Sequence, residues 1–472
     1  MTSSAPGGRA PALSPPNGTG ARPDPATTAL VLHGHFYQPP REDPWTGMVP
    51  EQPGAAPYHD WNERITAECY RPNAELGTFE KLSFNVGPTL LLWLQAHHHD
   101  VYERILAADR RSGRAIAQAY GHAILPLCNE RDVRTHVRWG ILDFTTRFGR
   151  VPEGMWLPET AVNDFVLRVL AEEGIRFTIL APGQIDAAEP PRSGLYRWRD
   201  PEEPRRTVDL VVYDGALSHL LAFEVPSSRQ ILGAAVDVGG LVVAATDGET
   251  FGHHHDGADE VVARALAIAE PAYGVELPRL VDLLDESPPN EEVGVRTSAW
   301  SCAHGVERWM ADCGCHTGGP DGWDQAWRGP LRHALDVLRD WGVDVFERRG
   351  KELLHDAWAA RDEYLGLLIG AVGWEEFARR HIAGDGHQAG VLLDAQRNAL
   401  LMYTSCGWFF NDLAGIETIQ VLRYAARSIE LHQQIGEHPP VDDVLEILAE
   451  ARSNDPEKGS GRDLWFNEVL PR

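Results

Sequence analysis

Leu241-Val242-Val243-Ala244-Ala245-Thr246-Asp247-Gly248-Glu249-Thr250-Phe251-Gly252-His253-His254-His255-Asp256-Gly257 is the stretch on which the fold turns. Its first five residues are an apolar, β-branched run of the kind that is buried on both faces in a parallel sheet. Glu260 to Leu266, just beyond, has helical spacing. Carboxylates and imidazoles are thus crowded between a strand and the helix that follows it. In α/β folds, catalytic groups collect at that end of the strands.

Working outward, the same alternation recurs from residue 28 to about 300. Ala29-Leu30-Val31-Leu32, Phe177 to Leu180 and Val208 to Tyr213 read as strands, and Gly121 to Leu127 as strand or strand end. Leu90 to Leu94, Val101 to Ala108, Asp132 to Phe148 and Asn163 to Glu173 read as helices, and residues 41–74 as one long loop. Strands alternating with helices predict an α/β fold built on a parallel barrel or open sheet. From about 325 the strand signals stop. Residues 331–343, 350–370, 391–403, 414–434 and 441–452 carry helical periodicity. The expected organisation is a disordered leader at 1–27, a catalytic α/β domain at 28–300, and a mainly helical domain at 301–472 that contributes to the cleft.

Composition narrows the function. With 69 acidic against 43 basic residues and a net charge of −26, the chain lacks the basic footprint of a nucleic-acid or anionic-membrane binder. Neither partner is expected. A neutral oligo- or polysaccharide suits this balance, and the 15 tryptophans supply flat faces for sugar rings as well as core. Residues 1–27 lack the apolar segment of a secretory signal. Cys69, Cys128, Cys302 and Cys406 stand singly, as reduced thiols do, so a cytoplasmic location is expected.

Four clusters carry chemistry. In His33-Gly34-His35-Phe36-Tyr37-Gln38-Pro39-Pro40, two histidines at i and i+2 of a strand point the same way. Tyr120-Gly121-His122 supplies a third imidazole. Met155-Trp156-Leu157-Pro158-Glu159 fixes a carboxylate after a proline and beside a tryptophan, which suits a nucleophile or a general acid/base. In the opening stretch, Asp247 and Glu249 alternate and should share a face, with His253 nearby. Glu159 and Asp247 thereby form a carboxylate pair drawn from two strands, which is what glycoside hydrolysis requires.

Taken in order, the four clusters resemble the motifs of glycoside hydrolase family 57. The likeness is to the α-amylase/α-mannosidase-like branch whose members open with the His-Gly-His-Phe-Tyr-Gln-Pro-Pro stretch and carry a C-terminal domain of unknown function. Met402 to Asp412 looks like part of that domain. The resemblance spans about 28 to 435. It implies a distorted (β/α)7 barrel followed by helices, and a retaining glycosidase, glucanotransferase or branching enzyme acting on α-glucans without a metal or other cofactor. Glu159 would be the nucleophile and Asp247 the general acid/base. His33, His35 and His122 would line the donor-sugar subsite. Gln38 could then donate to sugar hydroxyls and Trp156 stack on a pyranose ring, with Glu249 and His253 on the substrate side. The first motif departs from the family's common His-Gln-Pro form, because Phe36 and Tyr37 precede Gln38.

Two other readings stand beside this one. A zinc-dependent carbohydrate hydrolase, α-mannosidase-like or deacetylase-like, could use His33, His35, Asp247 and His253 as ligands. A non-catalytic glucan-binding protein would use the tryptophans alone. The segment Trp300-Ser301-Cys302-Ala303-His304 through Glu307, Trp309 and Cys313-Gly314-Cys315-His316 is open too. It can be a cleft loop presenting His304 and Trp309 to a sugar, a zinc site without the usual Cys-x-x-Cys pair, or a purely structural or redox element.

Overall fold

The computed structural model describes residues 28–470, so the leader expected at 1–27 lies outside the described residues. The apolar run at Leu241–Ala245 lies in strand β7 (Leu241–Asp247), buried from Val242 to Thr246. It lies parallel to β1 (Thr28–Phe36), with Ala29 opposite Leu241 and His35 opposite Asp247. The other edge of β1 pairs with β2 (Ser83–Val86), His33 opposite Ser83 and His35 opposite Asn85. A parallel bridge from Phe84 to Ala115 leads to β3 (Ala117–Gln118), which pairs with β4 (Met155–Trp156). A bridge from Gly154 to Phe177 leads on to β5 (Phe177–Leu180), which pairs with β6 (Thr207–Val212). The Asp214 N–H, just past β6, donates to the Val243 carbonyl of β7 at 2.6 Å. The parallel path thus runs through the strands in chain order and returns to β7.

Most crossovers are helical, as parallel pairing demands. The helix joining β3 to β4 is α1 (Glu130–Phe148), capped by Asn129, whose side chain accepts from the Asp132 N–H, and closed by Gly149 in the left-handed region. The β5 to β6 connection differs: it contains Gly194–Arg199, which pairs antiparallel with β6. The strand interiors are apolar, and each buried Leu, Val or Ile contributes about 1.5–3 kcal/mol.

Beyond residue 327 the chain is helical. Its longer helices are α2 (Arg328–Leu353), α3 (Ala357–Leu368), α4 (Gly386–Leu401) and α5 (Ile416–Gln434). Their core, with Trp327, Leu335 and Trp408, also takes in Tyr120, Ile124 and Trp139 from the β3–β4 region. Arg361 on α3 is buried; it donates to Asp132 Oδ1 at 2.8 Å and to Thr135 Oγ1 at 2.9 Å, both on α1. Such a pair costs desolvation and fixes orientation more than it adds stability.

Several sequence expectations are corrected. Residues 41–74 are not all loop, because Trp61–Glu75 is an unbroken helical run that begins at an Asp60 cap. The run of Pro, Trp, Asp and Asn masked that signal. Gly121 to Leu127 is two 3-10 turns rather than strand, since β3 ends at Gln118. The helix expected over 350–370 is broken at Leu354, where α2 ends and Asp356 caps α3. Strand β7 stops at Asp247, so Asp247 and Glu249 do not share a face: the first is exposed and the second buried.

Candidate active site

Glu159 follows β4 in a turn that a bulky side chain rarely adopts. Its φ is 56° and that of Thr160 is 49°. Left-handed residues of this kind cost about 1–3 kcal/mol each and persist only where their surroundings hold them. Here the brace is visible. Thr160 Oγ1 donates to Gln184 Oε1 at 2.8 Å, and Gln184 Nε2 donates to the Thr160 carbonyl at 2.7 Å. The loop around residue 300 runs alongside, with Val162 and Ser298 exchanging backbone hydrogen bonds and the Trp300 N–H donating to the Glu159 carbonyl at 3.0 Å. The same loop reaches the carboxylate: Ser301 Oγ donates to Glu159 Oε2 at 2.6 Å and Trp300 Nε1 at 3.0 Å. Burial raises the Glu159 carboxyl above its ordinary range, while these two donors and the Arg308 charge oppose the rise.

Beneath lies a layer of neutral imidazoles. Asn85 on β2 sits at its centre, where Nδ2 donates to His35 Nδ1 at 2.9 Å and Oδ1 accepts from His33 Nε2 at 3.0 Å. That orientation sets the remaining protons. His33 Nδ1 accepts from Ser83 Oγ at 3.0 Å. His35 Nε2–H donates to His122 Nε2 at 3.1 Å, and His122 Nδ1–H donates to Ser405 Oγ at 2.7 Å. Burial drives His33 and His122 down to about 3. Burial, then the neighbouring His122 and His33, holds His35 well below its usual value. Trp156 stacks on His33 and His35 with ring centres 4.9 and 4.8 Å apart, and Tyr37 stacks on His122 at 3.8 Å.

Asp247 is handled differently from Glu159. No hydrogen bond reaches its carboxyl among the described residues, and its side chain is open to solvent at the strand end. Crowding by the surrounding protein, then the charges of Glu249 and Glu159, raise it well above the carboxylate range. Glu249 is buried and accepts from the Tyr37 N–H at 2.9 Å and the Tyr70 hydroxyl at 2.5 Å. Its burial outweighs those donors and lifts it to about 7. Gly248, between the two, lies so close to β1 that a Cβ there would stand 2.3 Å from the Phe36 ring.

Residues 75–267 match the model of glycosyl hydrolase family 57, and residues 323–472 match a domain of unknown function, DUF3536. The first segment is a family 57 domain. The chain is 23% identical over 167 residues to alpha-amylase 1 of Dictyoglomus thermophilum, a match covering 34% of this chain and 24% of that protein. It therefore spans about a quarter of that relative's length. In fold it is similar to an exo-type maltose-forming amylase from Pyrococcus sp. ST04, with a TM-score of 0.73, 13% identity, and coverage of 89% of this chain and 82% of the other. It is also similar to the branching enzyme of Pyrococcus horikoshii, with a TM-score of 0.58, 15% identity, and coverage of 94% and 96%. At such identities the likeness is one of fold.

The structure gathers Glu159, Asp247, Glu249, His33, His35, His122, Gln38 and Trp156 at the carboxyl ends of β1, β3, β4 and β7, with His33, His35 and Gln38 contributed from before the matched segment. Not all can touch a ligand. Trp156 is 0% exposed, so it supports the imidazole layer and offers no face to a pyranose ring. Gln38 is buried, and its Oε1 accepts from Arg41 at 3.0 Å. Both nitrogens of His33 and of His35 are engaged by Ser83, Asn85 and His122, which leaves no lone pair for the zinc that the alternative reading placed on them. His253 pairs with Glu68 Oε2 at 2.6 Å.

The loop beyond residue 300 also differs from its expected role as a sugar-binding surface. Trp309 is 0% exposed and belongs to the helical core. His304 turns toward thiols, its Nδ1 3.6 Å from Cys315 Sγ. Sequence reasoning missed Ser301, Trp300, Asn85 and Ser405 as site residues. Ser301 and Trp300 lie in a segment already singled out, but only the fold shows which carboxylate they hold. Nothing in its local sequence marks Asn85.

Proposed function

We propose that the chain is a retaining glycoside hydrolase or transglycosylase acting on α-linked glucans, with Glu159 as nucleophile and Asp247 as general acid/base. The observation that carries this reading is the contrast between the two carboxyls: Glu159 is gripped by donors that favour its ionised form, and Asp247 is bare and held toward its protonated form. Environments that push two carboxyls apart assign the acid and the base. The family 57 domain and the amylase and branching-enzyme names of its neighbours supply the substrate class.

Both donors act on Glu159 Oε2, so Oε1 is the oxygen free to attack the anomeric carbon. As the C–O bond breaks, the Asp247 proton passes to the leaving oxygen. Water or a sugar hydroxyl then gives its proton to Asp247, attacks the same carbon and releases Glu159. In this reading the closed path of parallel strands is a distorted (β/α)7 barrel. The helices beyond residue 300 are a second domain that supplies Ser405 to the imidazole layer. All six cysteines are free thiols, which supports a cytoplasmic location.

The test is product analysis after incubating wild type and Glu159→Gln with a defined α-1,4 maltooligosaccharide. New shorter or longer oligosaccharides from wild type alone are expected, and their sizes separate hydrolysis from transfer. Equal turnover by the variant would remove Glu159 from the chemistry.

A further inference from the structure

The loop that holds Glu159 continues directly into a cluster that the glycosidase chemistry does not use. Cys302, His304, Cys313 and Cys315 each offer one ligand atom, and these atoms all lie within 4.8 Å of one another. They form the only such group of His, Cys, Asp or Glu among the described residues. We propose that these four side chains bind a structural zinc ion that locks the Glu159 clasp in place. This goes beyond the glycosidase reading and does not depend on it.

The distances suit the ion. Zn–S bonds of about 2.3 Å and Zn–N bonds of about 2.0 Å in a tetrahedron put neighbouring ligand atoms roughly 3.5–3.8 Å apart. Cys315 Sγ lies 4.0 Å from Cys302 Sγ and 3.6 Å from His304 Nδ1, and no pair of the four is more than 4.8 Å apart, so side-chain shifts of up to about 1 Å close the tetrahedron. Three thiolates and one imidazole select zinc over hard cations such as magnesium or calcium. The four ligands come as two pairs, Cys302-x-His304 and Cys313-x-Cys315, from opposite ends of one excursion of the chain.

The surroundings provide for the charge. Zinc with three thiolates and a neutral imidazole carries a net charge of about −1. The backbone N–H of Ala303 serves Cys315 sulfur, and that of Cys315 serves Cys313 sulfur. Arg328, fully buried, donates to the Cys315 carbonyl at 2.9 Å. Arg308 donates to the Ser301 carbonyl at 2.8 Å and to the Phe409 carbonyl at 3.0 Å. Two buried guanidiniums beside a cluster of thiols are what an anionic metal centre would need. The stretch from Ser301 to Ala326 holds no helix or strand beyond one turn at Glu307–Trp309. Loops of this length without secondary structure are uncommon in compact domains and are usually functional or disordered; four-point metal ligation would hold this one in a single conformation.

The consequence reaches the site through the chain itself. Trp300 and Ser301, the two donors to Glu159, immediately precede the first ligand. Fixing Cys302 fixes the backbone that carries both.

The full chain, purified without chelators and with thiols kept reduced, should contain about one zinc by elemental analysis. Cobalt(II) exchanged into it should show the intense visible bands of a tetrahedral thiolate site and a sulfur-to-cobalt charge-transfer band. Cys313→Ser and Cys315→Ser should each lower zinc content at least about tenfold. His304→Cys, which keeps four ligands, should retain the zinc and the wild-type circular dichroism and so control for misfolding. Three results would each overturn the proposal: a wild-type chain that takes up neither metal, a Cys315→Ser variant that binds as well as wild type, or a Cys302–Cys315 disulfide in the reduced, metal-supplied protein.

Discussion

Ser301 Oγ stands 2.6 Å from Glu159 Oε2, a hydrogen bond across 142 residues of chain that ties the loop before the helical half to a strained turn at the end of β4. Hydrogen bonds to a charged group contribute about 1.5–3 kcal/mol, and this one favours the ionised carboxyl. Ser301→Ala should therefore push Glu159 further up and move the acid limb of the kcat/KM profile to higher pH. Activity below that limb should fall about 10- to 100-fold. An unchanged acid limb would detach Ser301 from Glu159.

Gly248 has no room for a methyl group. A Cβ there would meet three atoms of the Phe36 ring within 2.5 Å, and that ring is itself fully buried. Gly248→Ala should cost about 1–3 kcal/mol through overpacking, seen as a lowered Tm. Phe36→Leu in the same chain should return part of the loss, because the clash is with that ring. If the double variant is no more stable than the sum of the singles, the ring is not the obstacle.

The imidazole layer makes the fold sensitive to acid. His33 and His122 sit near 3 in the folded chain against 6.5 when unfolded, so the unfolded chain takes up protons first as pH falls. Their contribution is fully present above about 6.5 and drains away as pH drops toward 3. Tm should decline across that window. Proton NMR should show neither ring titrating above pH 4, and an imidazole of the layer titrating near 6.5 would contradict the network of shared protons.

Glu249 works in the opposite sense. Burial first, against the Tyr70 and Tyr37 donors, puts it at about 7, compared with 4.5 in the unfolded chain. Between those values the folded chain holds a proton that the unfolded chain has released, so stability falls as pH rises through the window. Glu249→Gln keeps an oxygen for the Tyr37 N–H and the Tyr70 hydroxyl and carries no charge. It should remove that decline and raise stability at pH 8 by about 1–3 kcal/mol. Chemical denaturation of both proteins at pH 5 and 8 isolates the difference.

How much of this was legible in the sequence depends on how local each signal was. The β-branched run at Leu241–Ala245 and the helical spacing over Asp132–Phe148 and Asn163–Glu173 are local, and the strand and helices they announce stand within a few residues of where they were read. Glu159 could be singled out because proline and tryptophan flank it. The duties of Trp156 and Trp309 could not, because a tryptophan that lines a cleft and one that fills a core have the same letter, and burial is decided by elements far away in the chain. Asn85 and Ser405 came into view only when β1, β2 and the loop before α5 met at the histidines. The pairing of Cys302 and His304 with Cys313 and Cys315 needed the loop to fold back on itself.

Asp247 gives the sharpest separation of function from stability. Its carboxyl is exposed, has no hydrogen bond among the described residues, and is repelled by Glu249 and Glu159. A structural carboxylate would have partners, and its loss would destabilise the fold. Asp247→Asn should leave Tm unchanged where Asp247 is protonated and raise it at higher pH, where a like charge is removed from the cluster. With an α-1,4 maltooligosaccharide, kcat/KM should fall about 10²- to 10⁴-fold, the usual contribution of a general acid. With an aryl glycoside whose leaving group departs without a proton, the bond-breaking step should be far less affected, and turnover should then stall at release of the covalent intermediate, for which Asp247 serves as base. A burst of aryl alcohol followed by a slow steady state is the expected trace. A variant equally impaired on both substrates, with no burst, would move the acid role to another group, and Glu249, held near 7 in the same turn, would be the next to test.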